Sequence, residues 1–112
     1  MEEATPVLRI ADATRAVAWY RRLGYDQEWE HRFEPGFPAF VSISRNGEAR
    51  IFLSEHTGDA VPDGLIYLQI REIESIAIEF DAEIVAQPWG REVQLIDPDG
   101  NRLRVGGSAQ SG

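Results

Sequence analysis

Cysteine is absent from the 112 residues, which excludes disulfides, thiolate metal sites and a cysteine nucleophile together. Lysine is absent too, and with it Schiff-base chemistry, a P-loop lysine and an ammonium general base. All 11 positive charges are therefore arginine, fixed cations that position anions without trading protons. Long apolar runs are also missing, so no stretch reads as a membrane-spanning helix. The Met-Glu-Glu start lacks the basic-then-apolar layout of a signal peptide, and a soluble, cytoplasmic protein is expected. What is present is a chain of one domain's length, with 43% apolar residues to build a modest core.

Acidic residues number 19 and the formal net charge is −8. Such a surface repels a phosphate backbone, and the arginines are scattered rather than clustered, so neither nucleic acid nor an anionic membrane is an expected partner. The charge is uneven: residues 1–56 carry net −2 and residues 57–112 carry net −6. On this count a cationic ligand would be drawn to the second half.

An internal repeat organises the chain. Thr5 to Ile10 reads as a strand, Asp12 as a helix cap, and Ala13, Ala16, Val17 and Tyr20 as the apolar stripe of a helix closed by Leu23-Gly24. Sixty residues on, Leu65 to Ile70 repeats the strand, Glu72 takes the place of Asp12, and Ile73, Ile76, Ala77 and Phe80 repeat the stripe. Three strand-like segments follow each helix. They are Tyr25 to Arg32, Phe40 to Arg45 and Ala49 to Ser54 in the first half, then Ala82 to Gln87, Arg91 to Ile96 and Arg102 to Val105 in the second. Asn46-Gly47 is a two-residue hairpin signal, and Asp97-Pro98-Asp99-Gly100-Asn101 a longer turn. The expected fold is α+β, with two βαβββ modules forming a cupped mixed sheet in one domain spanning 1–112. Module one covers about 4–57, a linker 58–64, module two about 65–105, and a frayed tail 106–112. Tyr20, Phe52 and Phe80 are expected in the core, and each half is too small to bury its sheet face alone.

These two modules, with Asp12 before Trp19-Tyr20, the Leu23-Gly24-Tyr25 step and the closing Asp97 to Asn101 turn, resemble the vicinal oxygen chelate superfamily of glyoxalases, bleomycin-resistance proteins and extradiol dioxygenases. Gln87-Pro88-Trp89-Gly90-Arg91-Glu92 followed by Asp97-Pro98, and Val61-Pro62-Asp63 before module two, most resemble the bleomycin-binding resistance proteins. The resemblance covers residues 5–105 and implies the fold expected above.

For enzymes of this superfamily the resemblance implies a divalent cation held by His and Glu near the start of each module's first strand and on later strands. The corresponding positions hold Thr5, Leu65 and Arg104, and a fixed guanidinium repels a cation. No metal and no cofactor are expected. His31, among Glu28, Glu30 and Arg32, reads as a solvated strand edge; His56, next to Glu55 at a strand end, could ligate a metal but reads more simply as a loop histidine. With 19 acids present, the pair Glu28 and Glu30 on one strand face is no sign of acid-base catalysis.

Aromatic residues number 11, and Trp89 stands out because Pro88 and Gly90 place it in a bend where a core role is awkward. An indole on a loop suits stacking on a planar ligand, worth about 0.5–1.5 kcal/mol beyond area burial. For resistance proteins of this type the resemblance implies a planar drug tail sandwiched by aromatics in a groove between two subunits. The residues it assigns to ligand binding are Trp89, Tyr67 and a Phe from Phe33, Phe37 and Phe40, with the small Gly90 beside the indole; for a cationic ligand the candidate acids near the groove are Glu55, Asp63, Glu34, Asp59 and Glu92. The function implied is sequestration of a cationic, bleomycin-family antibiotic by a non-catalytic homodimer, in which the N-terminal strand could be exchanged between subunits. The alternative is a metal-dependent or metal-free enzyme, a lyase, isomerase or dioxygenase.

Overall fold

A computed structural model describes residues 2–107, which form two compact units: residues 2–64 with 97–101, and residues 65–96 with 102–107. The order of elements is β1 (Val7–Arg9), α1 (Ala13–Arg22), β2 (Asp26–His31), β3 (Phe40–Arg45), β4 (Glu48–Ser54), β5 (Leu65–Gln69), α2 (Ile73–Phe80), β6 (Val85–Gln87), β7 (Gly90–Ile96) and β8 (Arg102–Gly107). Each unit contains one four-stranded mixed sheet, ordered β1-β4-β3-β2 in the first and β5-β8-β7-β6 in the second. The expected βαβββ repeat is thus present twice. β1 pairs in parallel with β4 of its own chain.

In the first unit the Asp12 carboxylate accepts the Arg15 backbone N–H at 3.3 Å, satisfying one of the orphan donors of the helix start. Ala13, Ala16, Val17 and Tyr20 are buried, as their spacing predicts. They meet a sheet face built from Leu8, Val41, Ile43, Ile51 and Leu53, which register brings side by side. The Tyr20 hydroxyl donates to Asp97 at 2.8 Å, and burial, then the Asp97 charge, raise its pKa far above the phenol range. Asp97 in turn accepts the backbone N–H groups of Asp99 and Asn101, at 2.8 and 2.9 Å. The Asn101 amide donates to the Arg9 carbonyl at 2.8 Å, so the Asp97 to Asn101 turn is fixed by this unit's own groups.

In the second unit Ile73, Ile76 and Ala77 of α2 are buried, and the sheet residues Leu68, Val93, Leu95, Leu103 and Val105 form the matching face. Glu72 takes the cap position without a side-chain cap bond, unlike Asp12. Three expectations need correction. Phe52 and Phe80 are half-buried rather than core: Phe52 points to the sheet face that α1 does not cover, and Phe80 ends the last turn of its helix. The tail does not fray at Gly106, because β8 runs on through two buried glycines. A Cβ on Gly106 would meet the Tyr67 hydroxyl, and one on Gly107 would lie 2.7 Å from Ile73. The strand continues there because Gly106 and Gly107 still pair with Gln69 of β5 and with Glu92 and Arg91 of β7, and the neighbours leave room only for residues without side chains. The remainder of the predicted tail lies outside the described residues.

Candidate functional site

The eight residues singled out in the sequence fall into two groups, one in each unit. Phe33, Phe37, Phe40, Glu55 and Asp63 belong to the first; Tyr67, Trp89 and Gly90 belong to the second.

In the first unit the sheet face opposite α1 is aromatic. Cross-strand register places Trp29 of β2 opposite Ser42, His31 opposite Phe40, and Phe52 opposite Ser42. Trp29 lies nearly parallel to Phe40, at 6.1 Å and 16°, and tilted against Phe52, at 5.6 Å and 48°. Phe33 is 72% exposed and stands edge-on to both His31, at 4.8 Å, and His56, at 6.2 Å. Trp29, His31, Phe33, Phe40, His56 and Asp59 line an open pocket of about 540 Å3. Asp59 is exposed and accepts the Ser54 hydroxyl at 2.6 Å, which fixes its carboxylate at the pocket.

Such a pocket joins electron-rich ring faces with a carboxylate, which suits a planar or organic cation. Of the expected residues, Phe33, Phe40 and Asp59 lie in it. Phe37 does not line it; its carbonyl accepts the Arg32 guanidinium at 2.6 Å. Glu55 is occupied structurally, with its two oxygens accepting the backbone N–H groups of Ala13, at 2.8 Å, and Ala39, at 2.9 Å. Asp63 sits against the Asp97 to Asn101 turn, where a Cβ on Gly100 would lie 2.5 Å from its carboxylate.

Sequence reasoning passed over Trp29, His31 and His56, whereas Asp59 was among its candidate acids. A usable signal was the spacing Trp29, His31, Phe33, which puts three rings on one face of an extended segment. It was obscured by the charges between them and by a bulge between Gln27 and Trp29.

The second unit presents a different surface. Pro88-Trp89 is the two-residue turn of the β6–β7 hairpin, and Gly90, at φ +150°, carries the chain out of it. Trp89 is 57% exposed, and Tyr67 is exposed on β5. Between them lies Arg104, its guanidinium carbon 6.0 Å from the Tyr67 ring and 5.6 Å from the Trp89 ring. Glu92 has no accessible surface and grips Arg104 with two bonds of 2.9 Å; Gln94 donates to it at 2.9 Å. The hydrogen bond from Arg104 chiefly holds the Glu92 carboxyl below the usual carboxylate range.

These residues do not fit the divalent cation that the superfamily's enzymes hold. Glu92 gives both oxygens to Arg104, and the guanidinium occupies the place of a ligand. Among the described residues no group of three or more His, Asp or Glu side chains is disposed to hold a metal ion. Among the described residues no helix is long and apolar enough to cross a membrane.

Comparison with solved structures gives the fold independent support. A bleomycin-binding protein complexed with bleomycin aligns with TM-score 0.71 and 23% identity, over 96% of this chain and 99% of that one. TnmS3, an antibiotic-binding protein from Streptomyces sp. CB03234, aligns with TM-score 0.79 and 16% identity, over 96% and 97%. A fosfomycin resistance protein from Listeria monocytogenes, complexed with Mn(II) and a dihydroxypropylphosphonic acid, aligns with TM-score 0.70 and 14% identity, over 96% and 92%. Searched against curated proteins, the sequence matches none. The family model described as glyoxalase superfamily protein matches residues 1–112, and with both βαβββ modules in place the chain belongs to that superfamily.

Proposed function

We propose that the protein is a non-catalytic, cytoplasmic binding protein that sequesters a planar, cationic antibiotic of the bleomycin type. The observation that carries this reading is the aromatic pocket of the first unit, about 540 Å3, lined by Trp29, Phe33, Phe40 and Asp59 among others. Sequestration needs affinity alone, and exposed rings supply it by losing water on contact with a flat ligand. The net charge of −8 adds long-range attraction for a cation. Solved structures with this fold include a bleomycin complex and an antibiotic-binding protein, which supports the ligand class. Trp89 and Tyr67 contribute less to a cation site, because Arg104 already lies against both rings.

A titration with bleomycin tests the reading. Saturable quenching of tryptophan fluorescence at micromolar drug is expected, reduced at least tenfold in affinity by Trp29→Ala with the far-UV circular dichroism unchanged. Absence of quenching, or an unaltered titration in Trp29→Ala, refutes it. Stoichiometric metal together with a chelator-sensitive turnover marks an enzyme instead. A homodimer belongs to the same proposal, since each sheet has one face its own helix leaves open; sedimentation should then give twice the chain mass.

A further inference from the structure

We propose that the open face of the second sheet binds a small planar anion, of which an aromatic carboxylate is the representative class. This goes beyond the cation pocket, lies in the other unit and reverses its charge preference.

The count by half-chain drew cations to residues 57–112, but the fold sorts that charge. Glu72, Glu74, Glu79, Asp81 and Glu83 all fall on α2 and its flanks, the helix covering one side of the sheet. Strand alternation sends two of the arginines to the other side: Leu103 and Val105 are buried toward α2, so Arg102 and Arg104 face away from it, while Arg91 pairs with Glu74 of α2. The open face therefore carries two arginines whose Cα atoms are about 7 Å apart along β8, as two residues of strand require.

Register surrounds each arginine with apolar or planar groups. Arg102 lies between Leu65 of β5 and Ile96 of β7; Arg104 lies between Tyr67 and Gln94. Leu65, Tyr67, Ile96 and Trp89 are all exposed large side chains, so the cations stand in an apolar border.

The two arginines divide the work of holding an anion. Among the described residues no hydrogen bond or ion pair engages the Arg102 guanidinium, which leaves its full charge for a ligand. Arg104 is fixed by Glu92 through Nε and Nη2, and its Nη1 has no protein acceptor among the described residues. Held in place by a carboxylate with no surface of its own, that nitrogen offers its N–H groups without reorganising. With Glu92 counted, the face keeps one net positive charge. One charge among apolar rims suits a carboxylate on a flat ring, which stacks on Trp89 or Tyr67, better than a heavily hydrated phosphate.

Isothermal titration of the purified full chain with 2-naphthoate, 2-naphthylmethylammonium and inorganic phosphate tests this. The naphthoate should bind one to one. In a Trp29→Ala background, which disables the cation pocket, the ammonium analogue should bind at least tenfold more weakly than naphthoate, and phosphate likewise. Arg102→Gln should weaken naphthoate at least fivefold without changing the melting temperature, since that side chain bonds none of the described residues. Trp29→Ala itself should leave naphthoate binding intact, so this result and the bleomycin titration can fail independently. Failure of naphthoate to bind, equal affinity for the ammonium analogue or for phosphate, or indifference to Arg102→Gln overturns the proposal.

Discussion

Glu28 shows how much one side chain owes to its neighbours in space. Its carboxylate accepts Ser42 at 2.7 Å, Ser44 at 3.1 Å, and two guanidinium nitrogens of Arg50 at 2.6 and 2.9 Å. These bonds, those from Arg50 foremost, pull its pKa down to about 2. A carboxyl lowered on folding stabilises the folded state above its ordinary pKa of 4.5 and loses that contribution as pH falls toward 2. Glu92 acts in the same sense through Arg104. Glu28→Gln should therefore flatten the fall in melting temperature between pH 4.5 and 2, followed by calorimetry at fixed ionic strength; an unchanged profile would show that Glu28 adds nothing. Little of this was legible in the sequence. Glu28 and Glu30 look equivalent there, yet the bulge between Gln27 and Trp29 sets Glu28 apart as the carboxylate that reaches Ser42 and Ser44, while Glu30 pairs with Arg32.

At the scale of elements the sequence was far more informative, because local signals and the hydrophobic period agreed. Asn46 and Gly47 both take positive φ, 53° and 80°, as a tight hairpin turn requires. The two helices begin at matching places in the repeat but are capped differently. Asp12→Ala should cost about 1 kcal/mol in urea unfolding, whereas Glu72→Ala, which removes no cap bond, should change stability by less than about 0.5 kcal/mol. Equal losses at both sites would contradict the asymmetry. Tyr20→Phe should cost about 1 kcal/mol, since Asp97 keeps its bonds from Asn101 when the phenol is lost. Elements went unread where a neighbour decides the outcome. β8 extends through Gly106 and Gly107 because both pair with neighbouring strands, and they are glycine because Tyr67 and Ile73 occupy the space a side chain would need; no local pattern encodes either.

For the whole molecule, the half-chain charge count gives the sum but not the face on which each charge lies. Net charge survives any fold, but its distribution depends on which side of a strand each residue takes. The candidate site shares this limit: Trp89 was legible from its turn, while the pocket of Trp29, His31, His56 and Asp59 requires β2, β3 and the segment after β4 to be brought together. A charge of −8 also makes a kinetic prediction. Stopped-flow association of bleomycin should slow as salt rises from about 0.02 to 0.2 M, because the Debye length shrinks from about 20 to 7 Å.

The separation of acids on α2 from arginines on the sheet turns that dependence around for the opposite ligand. An anion approaching from afar meets a repulsive field and only within a few ångströms finds Arg102, so its barrier to entry is long-ranged and its hold short-ranged. Added salt screens the first more than the second. Modest salt should thus hasten the capture of an aromatic carboxylate while it slows the capture of a cationic drug, and the ratio of the two rates becomes a gauge of ionic strength.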